Sequence, residues 1–183
     1  MDIPERTNKS IMSLVRMIQK IKSIHNIQER SIIEIGSWTG LSMIEFAKEF
    51  KHVTCVDPWA PTEGINTKYD MHEVEKVFDR RAEKFNNVEK LKMTSEEAAA
   101  YLDFKADSLN DKKTIFGYCY IDGCHTYDAV KKDLKLWKDR VKYAICGHDY
   151  CNQFPGVKKA VDEVIGNPDH VFADSSWIKW KRK

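Results

Sequence analysis

The residues able to do chemistry stand at the ends of short apolar runs. Two such stretches are Tyr120-Ile121-Asp122-Gly123-Cys124-His125-Thr126-Tyr127 and Cys146-Gly147-His148-Asp149-Tyr150-Cys151. If the runs are neighbouring parallel strands, Asp122, His125, His148 and Asp149 meet at one rim. Carboxylates gathered there repel unless a cation or a proton lies between them. An oxygen-rich set suits a hard cation such as Mg²⁺. A histidine at the same rim can act as general base near neutral pH. The plainer alternative has both aspartates capping the segments that follow and both histidines in water. A zinc site from Cys124, His125, His148 and Cys151 is a third possibility, but it lacks Cys-x-x-Cys spacing.

A second constellation follows the first apolar run, in Glu34-Ile35-Gly36-Ser37-Trp38-Thr39-Gly40-Leu41-Ser42. Gly36 permits a tight turn, Gly40 a close helix start, and the backbone N–H groups between them can face a polar ligand. Trp38 departs from the Gly-x-Gly-x-x-Gly fingerprint, and no Gly-Lys-Ser/Thr follows. Asp57 lies about 20 residues beyond the glycines, where an acid can accept from ribose hydroxyls. Trp59 is placed to cover a flat base or, equally, to join the core.

These positions require elements to carry them. Ile11, Leu14, Val15, Ile18 and Ile21 predict an amphipathic helix over about 8–25. Short β-branched runs predict strands at 31–35, 53–56, 88–93, 115–121 and 143–146. Helices are expected at 41–50, from Met71 toward Phe85, at 95–102 behind a Thr94-Ser95-Glu96-Glu97 capping box, around Ala129–Trp137, and from Pro155. Residues 58–69 and 103–113 read as loops, and 171–173 with 177–180 as a terminal hairpin. Alternating strands and helices imply an α/β, mostly parallel doubly wound sheet in one domain over 1–183. Its ligands sit beyond the strand carboxyl ends, where strand order reverses.

Composition narrows the classes. Thirty basic residues against 28 acidic ones leave a formal charge of +2, which does not support a broad nucleic-acid footprint. No apolar run approaches a membrane span, and the first residues lack a signal-peptide stretch. Five cysteines, an odd number scattered in apolar runs, suggest a reducing, cytoplasmic setting.

Taken together, the motifs resemble class I S-adenosylmethionine-dependent methyltransferases. More narrowly, they resemble the small family that includes macrolide-sugar O-methyltransferases and cephalosporin-hydroxylase-like proteins. The segments that carry the likeness are 33–42, Val56-Asp57-Pro58-Trp59, 121–127 and Gly147-His148-Asp149-Tyr150, with Pro155-Gly156-Val157 opening a helix. The resemblance implies a seven-stranded sheet with one antiparallel strand in a C-terminal hairpin. It implies that Gly36, Ser37 and Gly40 approach the methionine part of the cofactor, that Glu34 orients their loop, that Asp57 binds ribose, and that Ser95 lies near adenine. Trp59 and Asp122 join this candidate cofactor set. In metal-dependent relatives an aspartate like Asp122 and an acidic pair after the fifth strand hold Mg²⁺. Here the pair reads His148-Asp149, so Asp122, His148 and Asp149 are the candidate ligands, of a softer ion or of none.

The expected chemistry is methyl transfer to a hydroxyl oxygen of a small molecule, a sugar or polyol, activated by a divalent cation (Mg²⁺ or another), by His125 as base, or by both, with Asp122 beside them. The alternatives are an NAD-dependent oxidoreductase and a non-catalytic cofactor-binding module. Acceptor choice falls to the N-terminal helix, the 58–69 loop and the stretch Tyr150–Phe154; a homo-oligomer is a further expectation, since a partner subunit can close an open rim.

Overall fold

The computed structural model describes residues 3–27, 30–61, 68–108 and 116–181. Among them, α1 (Asn8–Lys22), β1 (Ser31–Ile35), α2 (Leu41–Glu49), β2 (His52–Val56), α3 (Met71–Ala82), β3 (Val88–Leu91) and α4 (Ser95–Ser108) come first. They are followed by β4 (Phe116–Ile121), α5 (Tyr127–Trp137), β5 (Val141–Gly147), α6 (Pro155–Val164), β6 (His170–Val171) and β7 (Trp177–Trp180). The sheet order is β3-β2-β1-β4-β5-β7-β6. β1 pairs in parallel with both β2 and β4, so strand order reverses between β1 and β4. β7 alone runs antiparallel, against β5 and β6.

Each face of the sheet has its own apolar layer. Leu14, Met17, Ile18 and Ile21 of α1 pack with Met43 and Phe46 of α2 and Val74 and Phe78 of α3 on one side. Ala98 and Leu102 of α4, Val130, Leu134 and Trp137 of α5, and Val157 and Val161 of α6 cover the other. A sheet buried on both faces explains why its central strands read as unbroken apolar runs. β4 is buried along its whole length.

Several expected boundaries shift. α1 ends at Lys22, and its buried stripe takes in Met17 while Ile11 and Val15 lie only half-buried. α3 stops before Phe85, β3 stops before Met93, and β5 is longer than expected at both ends. The expected 103–113 loop is a correction: α4 runs on to Ser108, because Ala106 lands on the apolar stripe of Ala99 and Leu102. The remainder of that segment, Ile115 and residues 62–67 of the 58–69 loop lie outside the described residues. The Thr94 capping box forms. The Thr94 hydroxyl accepts from the Glu97 N–H at 3.3 Å, and the Glu97 carboxylate accepts from the Thr94 N–H at 2.8 Å.

Candidate active site

The cleft opens above the β1/β4 boundary. It holds about 910 Å³, within the usual range for small-molecule sites. The turn after β1 forms one wall and the turns after β4 and β5 the other. Gly36 joins them. Its φ is +87°, and a Cβ there would lie 2.4 Å from the Asp122 carbonyl oxygen and 2.5 Å from the Gly123 Cα. Only glycine fits a left-handed position against neighbouring backbone.

Asp57, at the end of β2, organises the first wall. Its Oδ2 accepts from the N–H of Ser37 at 3.1 Å and of Trp38 at 3.0 Å, and its Oδ1 from the N–H of Trp59 at 2.8 Å. Burial raises its pKa, and the three N–H groups oppose that shift. A carboxylate has about four lone-pair sites, so one on Oδ1 remains for a ligand hydroxyl. Glu34 is fully buried, accepts from the Ser42 hydroxyl and lies 3.7 Å from the Cys55 thiol. It ties β1 to the start of α2 rather than lining the cleft, and burial lifts its pKa to about 7. The Ser37 hydroxyl is buried in the cleft wall close to Glu34 and Cys55, without hydrogen-bond geometry to either. That leaves it able to turn toward a polar ligand. Gly40 caps α2 at φ +81°, and a Cβ there would press Met43 and Phe78.

Trp59 does not face the cleft. Its ring is buried against Phe78, with centroids 4.7 Å apart, and its indole N–H donates to the Trp38 carbonyl at 2.9 Å. The aromatic wall is Trp38 instead, set edge-on against Tyr69. Ser95 lies at the far end. Its Oγ accepts from the Trp137 indole N–H at 2.8 Å and sits beside the buried carboxylate of Asp133. Burial lifts Asp133 to about 6. Sequence reasoning missed this acid, although it falls three residues after Val130 and four before Trp137, inside the buried stripe of α5.

The opposite wall is a lattice of ions. His125 Nε2 lies 2.8 Å from Asp149 Oδ2, and His148 Nδ1 lies 2.9 Å from Asp149 Oδ1. His148 also faces Asp122 at 3.7 Å and Asp174 at 3.6 Å. Burial works against a charge on His148, but Asp149, Asp174 and Asp122 outweigh it and raise its pKa to about 10. On His125, too, burial is outweighed by Asp149, and its pKa rises. Burial likewise opposes the charge on Asp149, but the two imidazoles outweigh it and hold that carboxyl well below its ordinary range. Asp174, from the β6–β7 turn, and Arg6 both enter this wall, and sequence reasoning found neither. The Arg6 guanidinium bonds the Asp122 carboxylate and donates to the Tyr120 hydroxyl at 3.0 Å.

Asp122, His148 and Asp149 each bring one donor atom within 4.8 Å of the others, and among the described residues they are the set that converges so. The Cys124–Cys151 set does not; the Cys124 thiol turns to the Thr126 hydroxyl at 3.4 Å. The converging set fits Mg²⁺ poorly. Two carboxylates and an imidazole fall short of its preference for oxygen, and every oxygen of those two carboxylates already faces Arg6 or an imidazole.

The fold and this geometry can be compared with known proteins. Among solved structures, the rhamnose 3′-O-methyltransferase CalS11 of calicheamicin biosynthesis superposes with a TM-score of 0.63 at 12% identity, over 94% of this chain and 79% of that one. A Bacillus cereus O-methyltransferase in complex with SAH gives 0.61 at 14% identity, over 95% and 80%. A putative caffeoyl-CoA O-methyltransferase from Staphylococcus aureus gives 0.62 at 17%, over 99% and 86%. A comparison with curated protein sequences finds no match. No described helix is long and apolar enough to cross a membrane. A family model described as a methyltransferase domain matches residues 33–150, from β1 through the turn after β5. The chain therefore belongs to this methyltransferase family and carries the class I, S-adenosylmethionine-dependent methyltransferase fold.

Proposed function

We propose that the protein transfers a methyl group from S-adenosylmethionine to a hydroxyl oxygen of a small molecule of the sugar or polyol class. The observation that carries this reading is the His125–Asp149 pair at 2.8 Å, across the cleft from the Gly36–Asp57 wall. When bound, the cofactor supplies a methyl group activated by its sulfonium. The protein's part is to align the acceptor and manage one proton. The free lone pair of Asp57 receives a ribose hydroxyl. The turn from Gly36 to Gly40 and the Ser37 hydroxyl border the amino-acid part. Ser95 and Asp133 border the base.

His125 gives Nε2 to Asp149 and keeps Nδ1 for the proton of the acceptor hydroxyl. Asp149 orients the ring and stabilises the imidazolium that forms. Because Asp149 raises the His125 pKa, the neutral ring becomes populated only above the ordinary histidine range. Activity then climbs with pH above about 6.5, and its acid limb moves down when Asp149 is replaced by Asn. Phe154 packs against that base, its ring centroid 4.7 Å from that of His125.

The test is calorimetry with S-adenosylmethionine and S-adenosylhomocysteine, followed by transfer of labelled methyl to a panel of hydroxylated small molecules. Asp57→Ala should weaken cofactor binding by about tenfold or more, since a charge-assisted hydrogen bond and three backbone anchors are lost. Failure of the wild-type chain to bind either ligand would end this reading. Binding without transfer to any acceptor would return the protein to the non-catalytic alternative.

A further inference from the structure

We propose that Arg6 is the built-in cation of the acceptor half of the cleft, standing where a divalent metal ion would otherwise be required. The consequence for catalysis rests on the methyltransferase reading; the electrostatic assignment does not.

Arg6 is held firmly in place. The segment before α1 is tied to the cleft on both sides. The Trp38 indole N–H donates to the Pro4 carbonyl at 3.0 Å, and Arg81 pairs with Glu5 at 2.7 Å. Thr7 then caps α1, accepting from the Ser10 N–H at 3.2 Å. Between these ties the Arg6 side chain turns inward and is 14% exposed. Its guanidinium bonds Asp122, donates to the hydroxyls of Tyr120 at 3.0 Å and Ser10 at 3.2 Å, and lies 3.8 Å from Asp174. A buried guanidinium stays charged at any pH proteins survive.

The carboxylates of the cluster are partnered without an added ion. Asp122, Asp149 and Asp174 each face Arg6 or an imidazole of His125 or His148, and of these partners Arg6 alone carries a charge that does not depend on pH. Asp122 has Arg6 on one oxygen and His148 near the other. Asp149 has His148 on one oxygen and His125 on the other. Asp174 is further engaged by the N–H and hydroxyl of Ser176. A divalent ion between Asp122 and Asp149 would have to displace Arg6 or His148, and would then lie beside a like charge at short range. The third ligand is His148 rather than a carboxylate, so the charge that would attract such an ion is already reduced. Arg6 acts as a positioning residue here. It holds the Asp122 carboxylate directly, is itself held by the Tyr120 and Ser10 hydroxyls, and offsets the charge of Asp122 at the acceptor wall.

The experiment uses Mn²⁺ alone as probe, followed by electron paramagnetic resonance, on the chain free and saturated with S-adenosylhomocysteine. Wild-type protein should leave the free-ion signal undiminished up to about 1 mM ion, the weak end of protein cation sites. A double-mutant cycle of Arg6→Gln and Asp122→Asn, read by denaturant unfolding, should show coupling of at least about threefold in the unfolding constant. One Mn²⁺ bound per chain and lost in Asp122→Asn would overturn the proposal, as would strictly additive Arg6 and Asp122 effects. Calorimetry with S-adenosylhomocysteine on the wild-type chain, with no metal added, separates this failure from failure of the methyltransferase reading, because the Mn²⁺ signal and the unfolding cycle are read whether or not that ligand binds.

Discussion

The two walls of the cleft are built from different materials. The wall after β1 and β2 is made of backbone: three N–H groups converge on Asp57, and Gly36 presses against the neighbouring turn. The wall after β4 and β5 is made of ionised side chains drawn from Arg6, the two strand ends and the β6–β7 turn. A backbone wall has one shape and serves a ligand of fixed shape. A wall of paired side chains can be retuned by single substitutions, and it suits the partner that varies between enzymes on one fold.

The comparison is sharpest if each wall can be damaged without the other. His125→Ala should lower turnover by about a hundredfold or more, the usual worth of a general base, while S-adenosylhomocysteine affinity stays within about threefold. A parallel loss of cofactor affinity would show that the walls are not separable. Gly36→Ala strikes the seam between them. It places a Cβ in a left-handed position against the backbone of Asp122 and Gly123. The expected cost is about 2–3 kcal/mol of unfolding free energy, with loss of both cofactor binding and transfer. Denaturant titration checks it; an unchanged midpoint would mean the turn relaxes freely.

The same contrast governs what the sequence reveals. Backbone features are local, and their residue types are nearly obligatory, so the Gly36 turn and the Thr94 box were legible, while the hold of Asp57 on the backbone of Ser37, Trp38 and Trp59 was not. The alternation of strands and helices gave the mostly parallel sheet, whereas its single antiparallel strand came from the family resemblance, which the closeness of 171–173 to 177–180 suited. Arg6 and Asp174 were not legible. They reach Asp122 and His148 only after the chain has folded, from opposite ends of the sequence, and nothing near either residue marks it. Trp59 shows the limit of a residue-type argument. Its position beside Asp57 suited a base or the core, and its left-handed φ of +43° turns the ring inward against Phe78. Asp133 was legible but overlooked, since an acid inside a buried helical stripe calls for a reason.

Asp133 also gives a test confined to the Ser95 end of the cleft. Its folded pKa, near 6, lies above the ordinary 3.8 because burial disfavours the ion. The unfolded chain therefore releases this proton first as pH rises. Folding loses stability between about pH 4 and 6 and stays lower above that window. Asp133→Asn cannot ionise and still accepts from Ser95. The variant should match wild type near pH 4 and exceed it by about 1–3 kcal/mol at pH 8. A constant difference across that range would assign the effect to packing instead of charge.

The smallest expected effect falls on the tie that joins the segment before α1 to the backbone wall. Trp38→Phe keeps the aromatic contact with Tyr69 but removes the indole donor to the Pro4 carbonyl. One such bond is worth about 0.5–1.5 kcal/mol, and Glu5–Arg81 and Arg6–Asp122 still hold the segment. Global stability should therefore fall only slightly, while amide exchange at residues 5–7 should quicken, because the segment opens locally at less cost than the sheet. If exchange there is unchanged, the ion pairs alone hold the segment, and the ionised wall is anchored without help from the wall opposite.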